Sequence, residues 1–127
     1  MRVVVIGGYG NFGARVCRGL AGSPSIEVIA AGRHPDAVRG DPNVQHAQLD
    51  HSARDFPAAL KRLAPGLVIH CAGPFQSQDY RVALAAMAAG AHYLDLADGR
   101  QFVARFSHHV HSAARAARRP AISAACW

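Results

Sequence analysis

The sequence contains one lysine, Lys61, and eight acidic residues against fourteen basic ones, so its formal net charge of +6 comes almost entirely from arginine. Because Pro57 stands four residues before that lysine, a Tyr-x-x-x-Lys pair for proton transfer is excluded, as is Schiff-base catalysis at another lysine. The three cysteines, Cys17, Cys71 and Cys126, are an odd number without a close pair, which argues against a disulfide framework or a zinc knuckle. We expect them to be buried apolar side chains.

Long apolar runs are also missing. No run approaches the ~20 residues of a membrane-spanning helix. The run that follows Met1-Arg2 has four residues, which is too short for a signal peptide, and no small-residue cleavage site follows it. We therefore expect a cytoplasmic protein without a membrane partner. With 127 residues, half of them apolar, the chain is long enough for one domain with its own core and too short for two.

The surplus of arginine has two explanations, a surface for nucleic acid or sites for a small anionic ligand together with a compositional bias toward arginine. The one dense cluster comprises Arg115, Arg118 and Arg119. No aromatic residues alternate with it, as a stacking platform for single-stranded nucleic acid would require. A basic cluster at the end of a helix complements the helix dipole. We therefore expect no nucleic-acid partner.

Short apolar segments alternate with segments of helical periodicity along the whole chain. The predicted strands are residues 2–6, 26–31, 44–50, 65–73, 91–97 and 120–126, and the predicted helices are residues 11–21, 51–64, 78–89 and 100–119. Parallel strands joined by helices need right-handed crossovers. Together with a glycine-rich first turn, this alternation predicts an α/β Rossmann fold. Its doubly wound parallel sheet would have six strands in the order 3-2-1-4-5-6, with helices on both faces.

Local signals refine three of these helices. Phe12, Val16 and Leu20 recur at i, i+4 and i+8, which predicts one apolar face on the first helix. Ser52 is the expected N-cap of the second helix. Gly90 is expected to end the third helix in the left-handed conformation.

The stretch GGYGNFG has Gly-x-Gly-x-x-Gly spacing, which is either a plain tight turn or a dinucleotide site. It follows a strand, opens a helix and lies in a strand-helix-strand unit of about 30 residues, and this context favours the site. Gly8 would make the tight turn, Gly10 would leave room for the pyrophosphate, and Gly13 would allow close helix packing. Amides at the helix start would point at the phosphates. The expected cofactor-binding residues here are Gly8, Tyr9, Gly10, Asn11, Phe12 and Gly13.

The end of the second predicted strand distinguishes NAD from NADP, because NAD sites usually carry Asp or Glu there for the ribose hydroxyls. This chain has AAGRHP, and Glu27 stands at the beginning of the strand. Arg33, with His34 beside it, is placed to meet a 2′-phosphate and to stack on adenine. A solvent-exposed loop arginine is the alternative interpretation. NADP is favoured over NAD.

Five segments in order, GGYGNFG, AAGR, Leu49-Asp50, VIHCAGPF and GAHYLDLAD, resemble the NADP-binding domain of the saccharopine dehydrogenase-like oxidoreductases. The resemblance covers essentially the whole chain, and CAGPF followed by HYLDLAD is its most specific part. It implies that Asp50 lies at the adenine edge and that the loop after the fourth strand passes the ribose and nicotinamide side. A plain loop with a buried phenylalanine is the alternative. The residues of that loop are Cys71, Ala72, Gly73, Pro74 and Phe75.

The resemblance also implies an activity, hydride transfer between nicotinamide and a small carbonyl, imine or enoyl substrate. Family members continue into a second domain that binds the substrate and often pairs subunits. We therefore expect the substrate half of the active site and any homodimer interface to lie outside residues 1–127, and the isolated chain to be inactive. A non-catalytic NADP(H)-binding sensor or regulatory protein is the alternative.

Other polar residues offer little chemistry. His108, His109 and His111 contain no i, i+4 pair and have no acidic neighbour, so we expect an exposed helix surface and no metal site. His70 is expected to be a core histidine with its hydrogen bonds satisfied. Asp98 either faces substrate or caps the following helix, and the cap is favoured. No residue is assigned as a catalytic acid or base.

Overall fold

A computed structural model describes residues 1–35 and 41–123 of the chain. Within these ranges the strands are β1 (Arg2–Ile6), β2 (Glu27–Gly32), β3 (Val44–Gln48), β4 (Leu67–His70), β5 (His92–Asp95) and β6 (Ala121–Ile122). The helices there are α1 (Asn11–Ala21), α2 (Phe56–Arg62), α3 (Arg81–Ala88) and α4 (Arg100–Ala117). The strands form one parallel sheet in the order β3-β2-β1-β4-β5-β6. The predicted Rossmann topology is confirmed.

The two faces of the sheet carry separate apolar clusters, because successive residues of a strand point to opposite sides. Val4 and Ile6 of β1 belong to the larger cluster, which α2, α3 and α4 cover. Val3 and Val5 belong to the smaller cluster, which includes Cys17 of α1. Burial on both faces explains why the central strands are continuous runs of apolar residues.

The apolar face of α1 differs from the prediction. The side chain of Phe12 is 66% exposed, whereas the fully buried residues of the helix are Gly13 and Cys17, flanked by the partly buried Val16 and Leu20. Gly13 has to face the preceding turn, because a Cβ atom there would lie 2.0 Å from the Gly7 carbonyl oxygen. Successive helical residues are rotated by about 100°. Phe12 therefore points to solvent.

The start of α2 also lies later than predicted. The N-cap position is occupied by Asp55, with Pro57 in the first turn, and not by Ser52. The amide and the hydroxyl of Ser52 both donate to Asp50 Oδ1, over 2.9 and 2.6 Å, so this residue closes a turn after β3. A Ser or Asp side chain can satisfy a turn as well as a helix end, and the turn is formed here.

The ends of the other helices show one confirmed prediction and one wrong one. Gly90 follows α3 with a φ of +75°, and its amide donates to the Met87 carbonyl, as expected for a helix terminator. The N-cap of α4 is Gly99, without a side-chain capping bond, so the preference for Asp98 as the cap was wrong. Asp98 is exposed and stands one residue too early to cap the helix.

Two of the cysteines can be compared with the prediction. Cys17 is buried and Cys71 is half-buried, while Cys126 and the end of the sixth predicted strand lie outside the described residues. In the parts of the chain that the structure describes, no helix combines the length and the apolar character needed to cross a bilayer.

Candidate functional site

A cleft of about 620 Å³ lies at the carboxyl ends of the strands, where the sheet order reverses between β1 and β4. Sheets of this type bind ligands at that reversal, and the volume is in the ordinary range for a small-molecule site. Four loops contribute to it, one after each of β1, β2, β3 and β4. Most of the cleft wall is formed by Gly7 and Tyr9, by Gly32, Arg33 and His34, by residues 49–52, and by Ala72 and Gly73.

The loop after β1 turns over residues 7–10, with Gly7 as the first residue of the turn and Gly8, as predicted, one of its two central residues. Gly7 has a φ of +77°, and a Cβ atom there would lie 2.8 Å from the Ala72 nitrogen. The amides of Gly7 and Gly8 both donate to the Ala31 carbonyl, and the Gly10 amide donates to the Gly7 carbonyl. The turn is therefore tied to β2 and packed against the loop after β4.

The start of α1 is packed on one side and open on the other. Gly13 lies against the turn, so the expected close packing of this residue is confirmed. A Cβ atom on Gly10 would meet only the Gly7 oxygen at 3.4 Å, which leaves space beside the helix start. No side chain of the described residues caps this helix, and its first turn contains no acidic residue. The amides of Asn11 and Phe12 thus begin a helix whose positive end is suited to an anion.

Tyr9 forms a fixed wall over the end of β2. Its hydroxyl donates to the Ala30 carbonyl over 3.1 Å and lies 3.2 Å from His46 Nδ1, whose ring stacks on the tyrosine with centroids 5.6 Å apart. A Cβ atom on Gly32 would be 2.7 Å from the tyrosine ring, so glycine at the end of β2 allows this packing. Tyr9 also lines a second cleft, of about 560 Å³, with Gly8.

The end of β2 carries positive charge and no carboxylate. Arg33 and His34 are exposed and line the cleft. The Gln48 side chain donates to the Arg33 carbonyl over 3.3 Å, which ties this loop to β3. The guanidinium is close enough to Asp50 to contribute to the lowered pKa of that carboxyl, whose main cause is the hydrogen bond from the Ser52 hydroxyl.

The loop after β3 is held from both ends. Asp50 accepts the two bonds from Ser52 and so fixes the turn itself. Arg81, at the start of α3, donates to the carbonyl oxygens of Ser52 and Ala53, each over 3.1 Å. The loop is therefore anchored to a helix 28 residues further along the chain.

His51 is a cleft residue that the sequence reasoning missed. It lines the cleft, is half-buried, and lies edge-on to the buried His70 with ring centroids 5.4 Å apart. Burial is the main cause that lowers its pKa. The signal in the sequence was its position directly after Leu49-Asp50, at the carboxyl end of the third predicted strand, the end of the strands at which such sheets bind ligands.

The loop after β4 reaches the cleft through Ala72 and Gly73. Cys71 continues the strand, with its amide donating to the Ile6 carbonyl over 2.8 Å. Phe75 is 3% exposed and packs against the rings of His70 and Phe102, at centroid distances of 4.8 and 5.3 Å. The aromatic side chain is thus a core residue.

The fourteen residues predicted to bind a cofactor fall into three groups. The first lines the cleft directly, the second forms the turn and helix start beside it, and the third completes the loop after β4 behind its lining residues. The first group is Tyr9, Arg33, His34, Asp50, Ala72 and Gly73; the second is Gly8, Gly10, Asn11, Phe12 and Gly13; the third is Cys71, Pro74 and Phe75.

The carboxyl end of β5 holds a buried carboxylate. Asp95 is 0% exposed and accepts hydrogen bonds from the Tyr93 hydroxyl (2.8 Å), the Ala97 amide (3.1 Å) and the Ser123 hydroxyl (2.8 Å). Burial raises the pKa of the Tyr93 hydroxyl. These groups link β5 to the end of β6 and hold each other within the core.

Four other histidines behave as expected. His70 is 1% exposed, and its Nε2 lies 2.8 Å from Gln78 Oε1, which confirms a satisfied core histidine. His108, His109 and His111 are exposed on α4.

The fold has many relatives among solved structures. The chain is similar to a Rossmann-fold NAD(P)-binding family protein from Shigella flexneri, with 18% identity and a TM-score of 0.68 over 96% of this chain and 64% of that one. It is similar to apo saccharopine dehydrogenase (L-Glu forming) from Saccharomyces cerevisiae, with 16% identity and a TM-score of 0.66 over 98% and 27%. It is also similar to Citrobacter sp. triphenylmethane reductase complexed with NADP(H), with 21% identity and a TM-score of 0.66 over 97% of this chain and 48% of that one.

Identities this low show the fold alone, and the chain spans less than two thirds of the length of each of these three proteins. Comparison with curated protein sequences gave no match. The family profile described as "Saccharopine dehydrogenase NADP binding domain" matches residues 3–125, nearly the entire chain. The chain therefore belongs to this family of NAD(P)-binding Rossmann domains.

Proposed function

We propose that the cleft binds NADP(H) in preference to NAD(H), and that the domain presents this cofactor for hydride transfer. The observation that carries the preference is the exposed Arg33 at the end of β2, where an NAD site would place a carboxylate. A 2′-phosphate gains charge-assisted, bidentate hydrogen bonds from a guanidinium. The imidazole of His34 beside it adds a ring N–H donor.

The other cleft residues fit the rest of the cofactor. The pyrophosphate would lie beside Gly10 and the start of α1, where the helix end favours negative charge. The adenine side would lie between Tyr9 and the loop of Asp50 and His51, and the nicotinamide side would follow the loop after β4. When bound, the cofactor supplies or accepts the hydride, while this chain binds and orients it.

The substrate class we propose is a small carbonyl, imine or enoyl compound, bound with the help of a second domain. This chain covers only part of the longer relatives, such as 27% of the yeast enzyme. That share supports an arrangement in which one domain binds the cofactor and another binds the substrate. A non-catalytic NADP(H)-binding sensor is the second candidate. It is favoured by the carboxyl end of β5, where Tyr93 and Asp95 are buried and bonded to each other.

The test is a titration of the purified chain with NADPH and, separately, NADH, followed by nicotinamide fluorescence. Arg33→Glu is compared with Arg105→Glu, which makes the same charge change on an exposed face of α4. Since hydrogen bonds to charged groups contribute about 1.5–3 kcal/mol, Arg33→Glu should weaken NADPH binding about tenfold to a hundredfold. NADH binding should be unchanged in Arg105→Glu and should be unchanged or tighter in Arg33→Glu, which places a carboxylate where NAD sites usually carry one. Equal affinity of the parent for both cofactors would contradict the NADP preference.

A further inference from the structure

The side chain of Gln78 makes three hydrogen bonds in the space behind the loop after β4. Its Nε2 donates to the carbonyl oxygens of Ala72 (2.6 Å) and Pro74 (2.9 Å), and its Oε1 lies 2.8 Å from His70 Nε2. Gln78 precedes α3, which begins at Arg81 and not at residue 78 as predicted. One amide thus holds two carbonyls of a loop that lines the cleft.

The orientation of that amide is set by His70. The Ala72 amide donates to His70 Nδ1 over 3.4 Å, so this nitrogen is the unprotonated one and Nε2 carries the hydrogen. Nε2 must then donate to the Gln78 oxygen, which leaves the glutamine NH₂ group facing the carbonyls. Burial lowers the pKa of His70 to about 4, so the imidazole is neutral near pH 7 and keeps this arrangement.

The bonded groups belong to the wall of the cleft. Ala72 and Gly73 line it, and the Ala72 backbone packs against Gly7 of the first turn, where a Cβ atom would lie 2.8 Å from the Ala72 nitrogen. Three backbone groups of residues 72–74 are therefore held by His70 and Gln78, which do not themselves line the cleft. Because the loop follows β4, on the far side of the reversal from β2 and β3, it would meet the nicotinamide half of the cofactor.

We infer that Gln78, oriented by His70, is a positioning residue that fixes the loop 71–74 in the shape required by the nicotinamide half of NADP(H). This inference rests on the proposed function. It assigns to Gln78 no contact with the cofactor. Its action is through the backbone of Ala72 and Pro74 alone.

The test compares two ligands in one variant. Gln78→Leu removes the amide and keeps a side chain of similar size, and Gln76→Leu is the control, since Gln76 is exposed in the same loop. We expect Gln78→Leu to weaken NADPH binding about tenfold and to reduce the fluorescence gain per bound NADPH. Binding of 2′,5′-ADP, which contains only the adenine half, should stay within about twofold. The control should leave both affinities unchanged.

A second variant covers the case in which Gln78→Leu does not fold, which thermal unfolding would reveal. Gln78→Glu keeps an acceptor for His70 but sets negative charge against the two carbonyl oxygens, so it should show the same split between the ligands. Equal weakening of both ligands, or of neither, would overturn the positioning role while leaving the proposed function intact. A parent chain that binds neither ligand would overturn the proposed function, and this inference with it.

Discussion

The carboxyl edge of the sheet has two halves, on either side of the reversal between β1 and β4, and they are built in different ways. On the side of β2 and β3, the polar side chains Arg33, His34 and Asp50 lie at the surface and line the cleft themselves. On the side of β4 and β5, the polar side chains His70 and Asp95 are buried and act on the backbone around them. The first half offers charge for a ligand to meet, and the second offers a shape that internal hydrogen bonds maintain.

The difference has an energetic reason. An exposed arginine is solvated and needs no partner within the protein, so it is available to a ligand at little cost to the fold. A buried carboxylate or imidazole without hydrogen bonds would be costly. Substitutions of polar residues in the first half should therefore change cofactor binding without changing stability. Substitutions in the second half should change both.

The largest change in the free energy of unfolding is expected at Asp95, in the half with buried polar side chains. Asp95→Ala leaves the hydroxyls of Tyr93 and Ser123 and the Ala97 amide without their acceptor. Because an unsatisfied buried group costs about 1–3 kcal/mol, we expect the free energy of unfolding to fall by about 3–5 kcal/mol, as measured by urea denaturation. Asp98→Ala, at an exposed position nearby, should change it by less than about 0.5 kcal/mol. A small loss at Asp95 would mean that the second half is less tightly tied than its contacts indicate.

A slightly smaller effect is expected from pH, because the free energy of unfolding should depend on the protonation of the buried His70. His70 has a pKa of about 4 in the folded protein, below its ordinary value of 6.5, so the unfolded chain takes up the proton first as pH falls. The stabilisation is therefore complete above about pH 6.5 and is lost progressively down to about pH 4, at a total of about 3 kcal/mol.

Urea denaturation between pH 7.5 and 4 measures this slope. His70→Phe should flatten it, whatever the absolute stability of the variant. His51, whose pKa is also lowered, contributes in the same direction, so His51→Phe should reduce the slope by a smaller amount. A slope unchanged in His70→Phe would show that its imidazole is not held neutral in the core.

Much of the fold was predictable because its signals are local. The apolar runs, the helical periodicity and the glycine turn after the first strand are each contained in a few adjacent residues, and they were enough for the strand order. Arg33 was recognisable as a residue at the carboxyl edge of the sheet, where it lines the cleft, because its position follows from the end of one strand. Gly90 as a helix terminator was equally local.

The rest depends on contacts between distant residues. The loop after β3 is anchored by Arg81, which donates to the carbonyl oxygens of Ser52 and Ala53 from 29 and 28 residues further along the chain. The roles of Gln78 and Asp95 follow from partners 8 and 28 residues away, for which the sequence has no pattern. A side chain at position 7 would clash with Ala72, which lies against Gly7, and this contact exists only once the sheet has formed.

The smallest expected effect lies between the two halves, at Phe12. Its side chain is 66% exposed at the start of α1, so Phe12→Ser should change the free energy of unfolding by less than about 0.5 kcal/mol. Thermal or urea unfolding measures this directly, with Phe102→Ser in the core as the contrast, where a loss of about 3–5 kcal/mol is expected. A comparable loss at both positions would restore the sequence-based prediction that Phe12 belongs to the apolar face of the first helix.

The short segment before and at the start of α3 reaches both halves. Gln78 holds the loop after β4, and three residues later Arg81 holds the loop after β3 through the carbonyls of Ser52 and Ala53. One segment, residues 78–81, therefore holds both walls of the cleft. A substitution that displaces this segment is therefore expected to disturb both walls of the cleft together.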